Sequence, residues 1–466
     1  MPQSLNSEEQ ILVTTAGSLP RTPELIAANA ARELEEDGFT LKRTDEFDRL
    51  LTDAVVDLVR RQAELGVTLP GDGEYGKAMS SAVDYGAWWS YVFQRVGGLE
   101  VTGEDLFTWP HQESAPGDIR LTNMPNRRDW VKFRDFYAEG LNTGTQATTF
   151  PATTGELTWR GQEAIETDIT NLKKGLEAAG LEQGFITSIA PGSGARVPNS
   201  YYATEEEHIW AWAEVLRHEY KAITDAGLIL QLDDPSLAEN WDQITPEPSV
   251  EDYRRFTQIR IEAMNHALRG IDPELVRLHI CWGSWHGPHT TDIEFKHIAD
   301  LCLGADAKYF TFEAGNVRHE HEYTVWDDLK LPEGKVIVPG VVSHATNVVE
   351  HPELVAQRLT RFAERVGAEN VQAGTDCGSA AACIRTSPSP SWSPWARARL
   401  WPRNGSSAEV LPLPPAQLRE TRRRRSSPEA DQVRDPPSSC AGSAGDGDGV
   451  APELGVGATG FLVVPS

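Results

Sequence analysis

Cysteine and methionine are scarce in this chain, with five and four residues among 466. The cysteines, Cys281, Cys302, Cys377, Cys383 and Cys440, are too few and too scattered for a disulfide framework. An odd number of thiols in a chain this long reads as metal ligands plus incidental thiols. No run of 18 apolar residues occurs, which excludes a membrane-spanning helix of the ordinary kind. The first ten residues have neither a basic stretch nor an apolar one, so no secretory signal is read and a cytoplasmic location is expected. Positive charge is in short supply as well: 43 Lys+Arg face 69 Asp+Glu, a net charge of −26. That balance argues against nucleic acid and against an anionic membrane as partners. Glycine-rich phosphate loops of the Walker or dinucleotide type are also missing.

What is present divides at about residue 379. Residues 1–378 alternate apolar strands with amphipathic helices. Residues 379–466 are rich in Pro, Ser, Arg, Ala and Gly and contain no Lys, Tyr, His or Met. This second segment carries 10 Lys+Arg against 8 Asp+Glu, leaving 33 basic and 61 acidic residues before it, a net −28. Such a composition cannot build a packed core, and disorder is the expectation. Residue types with GC-rich codons, starting abruptly inside a motif, are equally what an out-of-frame translation yields; resequencing the gene tests that.

Before residue 379, eight short apolar runs read as buried strands: Leu12–Ala16, Val67–Pro70, Gly184–Ile189, Leu228–Asp233, Val276–Cys281, Tyr309–Glu313, Val336–Val341 and Val371–Thr375. Helical periodicity lies between most of them, over Phe47–Leu65, Glu163–Ala179, Glu205–Ala226, Val250–Leu268, Ile293–Leu303 and Glu353–Val366. Repeated strand–helix alternation predicts a parallel sheet, and eight units predict a single TIM-type (β/α)8 barrel. The stretch from about Met79 to Glu163 reads as an insertion after the second strand, rich in aromatics and with a hairpin near Thr145–Thr158. It either covers a substrate or only packs.

Active sites of such barrels sit at the C-terminal strand ends. Those ends here carry Ser18, Glu74, Asp233, His279 with Cys281, Glu313, His344 and Cys377. His279 and Cys281 are two apart on one strand and so face the same side. Imidazole and thiolate donors suit Zn²⁺, which takes four ligands in a tetrahedron. Glu313 closes an otherwise apolar strand, where an unpaired carboxylate is costly. Cys377 lies in a Gly-Thr-Asp-Cys-Gly turn. Four zinc-competent groups at one rim make a metal centre the favoured reading, with buried structural cysteine as the bland one. Two thiolates and a carboxylate total −3 against the ion's +2. Such an electron-rich zinc is a poor Lewis acid but suits a bound thiolate that must stay nucleophilic, so alkyl transfer to sulfur fits better than hydrolysis.

The His279-Ile-Cys281 pair, the Phe-Glu313 strand end and the Asp-Cys377-Gly turn resemble the zinc motifs of the cobalamin-independent methionine synthase family. The resemblance spans roughly residues 11–378 and corresponds to that family's catalytic C-terminal barrel. It implies zinc on His279, Cys281, Glu313 and Cys377, and a methyl transfer from a donor such as methylated folate to homocysteine. Ser18 then matches the position that binds the amino-acid carboxylate, and Glu74 and Asp233 match the acids that hold its ammonium. His344 matches the histidine assigned as general acid toward the methyl donor. The sequence departs from the family in three ways. No second, N-terminal barrel is present, Asp233-Asp234-Pro235 stands where Asp-Glu-Pro is usual, and Cys377-Gly378 runs into the unusual tail instead of a closing helix.

Each assignment has a plainer alternative. Ser18 shapes a turn, His344 is a polar rim residue, and Glu74 and Asp233 pair with Arg or Lys. His319 and His321 bind a second metal or, the favoured reading, belong to a solvated loop. The epoxyalkane:coenzyme M transferases also resemble this sequence; their thiol bears a sulfonate, which Arg21 beside Ser18 would meet. A third possibility is a non-catalytic barrel disabled by its C-terminus.

Overall fold

The computed structural model describes residues 10–78, 89–104, 107–142, 150–283, 287–346 and 348–378. The tail from 379, the closing eighth helix, the first part of the expected hairpin (145–149), His286, Cys383 and Cys440 lie outside the described residues.

The centre is a six-stranded parallel sheet in sequential order: β3 (Phe185–Ile189), β4 (Ile229–Asp233), β5 (Val276–Ile280), β6 (Tyr309–Glu313), β7 (Val336–Val342) and β8 (Gly374–Thr375). Two earlier strands, β1 (Val96–Glu100) and β2 (Ala152–Trp159), pair antiparallel in a sheet of their own. The first arm of the expected hairpin near Thr145–Thr158 lies outside the described residues; the strand over Ala152–Trp159 pairs with a segment more than fifty residues upstream.

Helices lie where the periodicity places them, over Asp45–Glu64, Gln162–Ala179, Glu205–Asp225, Val250–Leu268 and Pro352–Val366. Their starts are set by capping side chains. Thr44, Thr204 and Ser249 accept from the amides of Phe47, Glu207 and Asp252 at 3.2, 3.0 and 3.0 Å. The expected helix over Ile293–Leu303 is instead two short turns, Phe295–His297 and Ala299–Cys302.

The first two expected strands, Leu12–Ala16 and Val67–Pro70, make only isolated parallel bridges: Val13 with Ala373, Thr14 with Leu69, and Gly71 with Phe185. Hydroxyls take several positions that ladder bonds would fill. Thr68 Oγ1 accepts from the Val13 amide at 2.7 Å, Thr375 Oγ1 from the Ala16 amide at 2.9 Å, and Thr14 Oγ1 donates to the Leu69 carbonyl at 2.8 Å.

Side-chain alternation sorts the sheet into two faces. Ile186, Leu230, Leu232, Leu278, Ile280, Phe310 and Phe312 pack toward the helices in the main core. The other face is graded. Its N-terminal end holds a separate apolar cluster of Leu69, Phe185, Ile229, Tyr309, Val336 and Val338. Arg277 lies over the Phe185 ring at 3.8 Å and reaches back to Thr14 Oγ1 (2.9 Å) and the Thr15 carbonyl (3.0 Å). Further along the same face come Thr187, Gln231, Asp233, His279, Thr311 and Glu313, all buried.

Two buried charge networks anchor the surrounding segments. Arg95 pairs with Asp168 and Glu219, each at 2.6 Å, and Glu219 also accepts from Tyr91 Oη at 2.8 Å. Arg127 pairs with Glu239 (2.5 Å) and Asp242 (2.8 Å), and Arg196 reaches Glu239 at 2.8 Å.

Candidate functional site

Register aligns the strand ends. Asp233 stands opposite His279, His279 opposite Thr311, and Glu313 opposite Gly340. This puts chemistry-bearing side chains from β4, β5 and β6 at one level of one face.

The donor atoms of His279, Cys281 and Cys377 lie within 4.8 Å of one another. The two sulfurs are 3.7 Å apart. His279 is buried, and neither of its ring nitrogens has a hydrogen-bond partner. Burial lowers the His279 pKa, but the Cys281 sulfur and Asp233 outweigh it and the net shift is upward. The Cys281 thiol is pushed well up by Cys377 and by burial. A soft divalent cation suits this arrangement: one imidazole nitrogen and two sulfurs are donors it favours, and it would displace the thiol protons now shared between the sulfurs.

Glu313 is placed next to this triad but outside the group of mutually close donors. Its Oε1 accepts from the Trp282 amide at 3.0 Å and its Oε2 from Asn316 Nδ2 at 2.7 Å. Burial, then Cys281, drive its pKa well above the usual carboxylate range. Asn316 also donates to Asp376 Oδ2 at 3.1 Å, while the Ala314 and Gly315 amides both donate to Asp376 Oδ1 at 2.7 Å. Asp376 thereby ties the β6 end to the turn that carries Cys377. His344 follows β7, is buried, and places Nδ1 3.9 Å from Asp376 Oδ2.

On the other flank, Gly17 and Ser18 pack against Glu74 and Gly378. A Cβ on Gly17 would sit 2.7 Å from Glu74 Oε1, and one on Gly378 would strike the Ser18 hydroxyl. Glu74 takes a left-handed backbone (φ 60°), unusual for a non-glycine residue and costing about 1 kcal/mol. Its amide donates to Asp72 Oδ1 at 2.9 Å and its carbonyl accepts from Arg21. Asp233 accepts from Gln231 at 2.7 Å; burial lifts it to about 6, with His279 and Lys77 opposing and Glu74 reinforcing. Asp234 accepts from Ser193 (2.8 Å) and from Ser236.

Several of these residues escaped the sequence reading. Asp376 and Asn316 were visible only as neighbours of candidate ligands. Lys77 and Thr187, both buried, were missed entirely. The solvated-loop reading of His319 is corrected. It is buried, hydrogen-bonded to Glu322 at 2.8 Å and covered by Trp282 with ring centroids 4.4 Å apart, whereas His321 is exposed. Arg21, weighed as a sulfonate receptor, donates to the Glu74 and Lys77 carbonyls.

No family model matches the chain. In sequence it is similar to methionine synthases of two archaea. The protein of Sulfolobus acidocaldarius is 24% identical over 383 residues, covering 80% of this chain and 87% of the relative. That of Thermococcus kodakarensis is 24% identical over 367 residues, covering 78% and 84%. In fold it is similar to the B12-independent methionine synthase of Shewanella sp. W3-18-1 in complex with selenomethionine (TM-score 0.54, 18% identity, 80% and 92% coverage). A putative vitamin-B12-independent methionine synthase of Listeria monocytogenes gives a TM-score of 0.51 at 17% identity, with 83% and 96% coverage.

Proposed function

We propose that this chain, similar in sequence to methionine synthases and in fold to B12-independent ones, methylates the sulfur of homocysteine with the help of a zinc ion. The observation that carries the reading is the convergence of His279, Cys281 and Cys377 from two distant segments to within 4.8 Å. Glu313, held at the end of β6 by the Trp282 amide and Asn316, is the proposed fourth ligand. Zinc bound there supplies the positive charge that keeps an incoming thiol anionic and nucleophilic.

The chain's own residues do the rest. Glu74 and Asp233 hold the substrate's ammonium, and Ser18 with its neighbouring amides meets the carboxylate. Two buried acids and a hydroxyl on the loop facing them suit the two ends of an amino acid. His344, with Asp376 behind it, delivers a proton to the donor nitrogen as its bond to the methyl group breaks and the sulfur–carbon bond forms. The thiol's own proton has already left to solvent. A methylated folate is the proposed donor.

The fold proposal accompanying this is a closed (β/α)8 barrel. The bridges from Val13 to Ala373, Thr14 to Leu69 and Gly71 to Phe185 support it, since they connect β8 through the two N-terminal segments to β3. The alternative thiol, coenzyme M, is disfavoured because Arg21 is already engaged by carbonyls and acids face the site. Thiol depletion with homocysteine and with coenzyme M, alongside metal analysis, tests the reading. Turnover of coenzyme M alone, or a zinc-loaded protein inert with homocysteine and a methylated folate, overturns it.

A further inference from the structure

Lys77 is a fully buried lysine, 1% exposed, three residues beyond Glu74. Its ammonium donates to the Thr187 carbonyl at 2.8 Å and to the Thr187 hydroxyl, and lies 4.3 Å from the Tyr91 ring centre. No ion pair joins it to Glu74 or Asp233 among the described residues. A protonated amine has donors and no lone pair. Thr187 Oγ1 must therefore accept from Lys77, and its single proton is directed elsewhere. The acceptor is Glu74 Oε1 at 3.0 Å.

The chain Lys77 → Thr187 → Glu74 thus has one possible direction. It satisfies one carboxylate oxygen and leaves the other, Glu74 Oε2, buried with no partner. Gly17 makes the arrangement possible, because a side chain there would collide with Oε1.

We propose that Lys77 is a positioning residue for substrate recognition: acting through the Thr187 hydroxyl, it fixes the Glu74 carboxylate so that its free oxygen receives the α-ammonium of the amino-acid thiol. This rests on the reading of Glu74 and Asp233 as the ammonium site. It adds the device that aims one of them, and it makes Lys77 and Thr187 determinants of selectivity for α-amino over desamino substrates.

The test is calorimetric binding of L-methionine and of its desamino analogue 4-(methylsulfanyl)butanoate to the full chain. Both ligands carry the same methyl thioether and differ only in the α-amino group, so any contact with a metal cancels in the ratio of their affinities, and the readout does not depend on turnover. Wild type is expected to prefer L-methionine by at least tenfold. Thr187→Ser, which keeps the hydroxyl, should retain that preference. The near-isosteric Thr187→Val and Lys77→Met should each reduce it about tenfold, and the double variant should lose no more than either single one. Preserved discrimination in Thr187→Val or Lys77→Met, with Glu74→Gln losing it, overturns the role of Lys77 while leaving the ammonium site standing. Additive losses in the double variant overturn the relay. A wild type that binds neither ligand, or binds both alike, removes the ammonium-site reading and this inference with it.

Discussion

The sulfurs of Cys281 and Cys377 stand 3.7 Å apart although 96 positions separate them along the chain. The Asp376 carboxylate, clasped by the Ala314 and Gly315 amides, holds the second cysteine against the end of β6. The pair is therefore an outcome of strand order. Removing either sulfur should abolish tight metal binding: Cys281→Ala and Cys377→Ala are each expected to fall from one zinc per chain to a small fraction of it, read by elemental analysis after dialysis. Stoichiometric zinc in either variant counts against the ligand set.

His344 is expected to act after metal and substrate are in place. His344→Asn should slow methyl transfer by about 10²–10⁴-fold, the range of a lost general acid. Zinc content and homocysteine affinity should hold. Steady-state kinetics with parallel metal analysis checks this, and an undiminished kcat eliminates the acid role.

Gly17 combines a positive φ of 140° with contact to Glu74. Gly17→Ala is expected to destabilise the protein by about 1–3 kcal/mol, since it adds both backbone strain and a clash. It should also raise KM for homocysteine about tenfold by displacing the carboxylate. Urea unfolding and initial-rate kinetics measure the two effects; an unaltered KM would separate the loop from substrate binding.

Glu239 sits between Arg127 and Arg196. Burial alone would raise its pKa, but the two guanidiniums outweigh that and bring it down to about 2. A depressed carboxylate stabilises the fold above its unfolded pKa, near 4.5, and that stability fades as pH drops toward 2. Glu239→Gln should cost about 3–5 kcal/mol at pH 7, since two buried arginines lose their counter-charge. The gap to wild type should narrow by pH 3. Urea titrations at the two pH values check it, and a gap independent of pH would show that packing, not charge, is lost.

Much of this arrangement was legible in the sequence, for identifiable reasons. Strands β3 to β7 announce themselves as short runs rich in apolar residues because both faces are buried, and His279 and Cys281 share a face because strand side chains alternate. The first two strands were legible as apolar runs but not as bridges, because Thr14, Thr68 and Thr375 place hydroxyls where ladder bonds would be. Lys77 was illegible. Nothing local distinguishes a lysine whose ammonium turns inward from one that faces water, and the deciding contact, Thr187, is 110 positions away. His319 misled for the opposite reason: a polar stretch looked solvated, while Trp282 and Glu322 enclose it.

The grading of the sheet face, hydrocarbon at one end and ionisable at the other with Arg277 at the boundary, implies an asymmetric tolerance to mutation. Phe185, Ile229, Tyr309, Val336 and Val338 form a foundation that few substitutions can enter without opening a void. The reactive groups occupy the last one or two residues of their strands, or the loop just beyond, where a side chain can be exchanged with little disturbance below. A protein built this way can be altered at the rim while its foundation stays as it was.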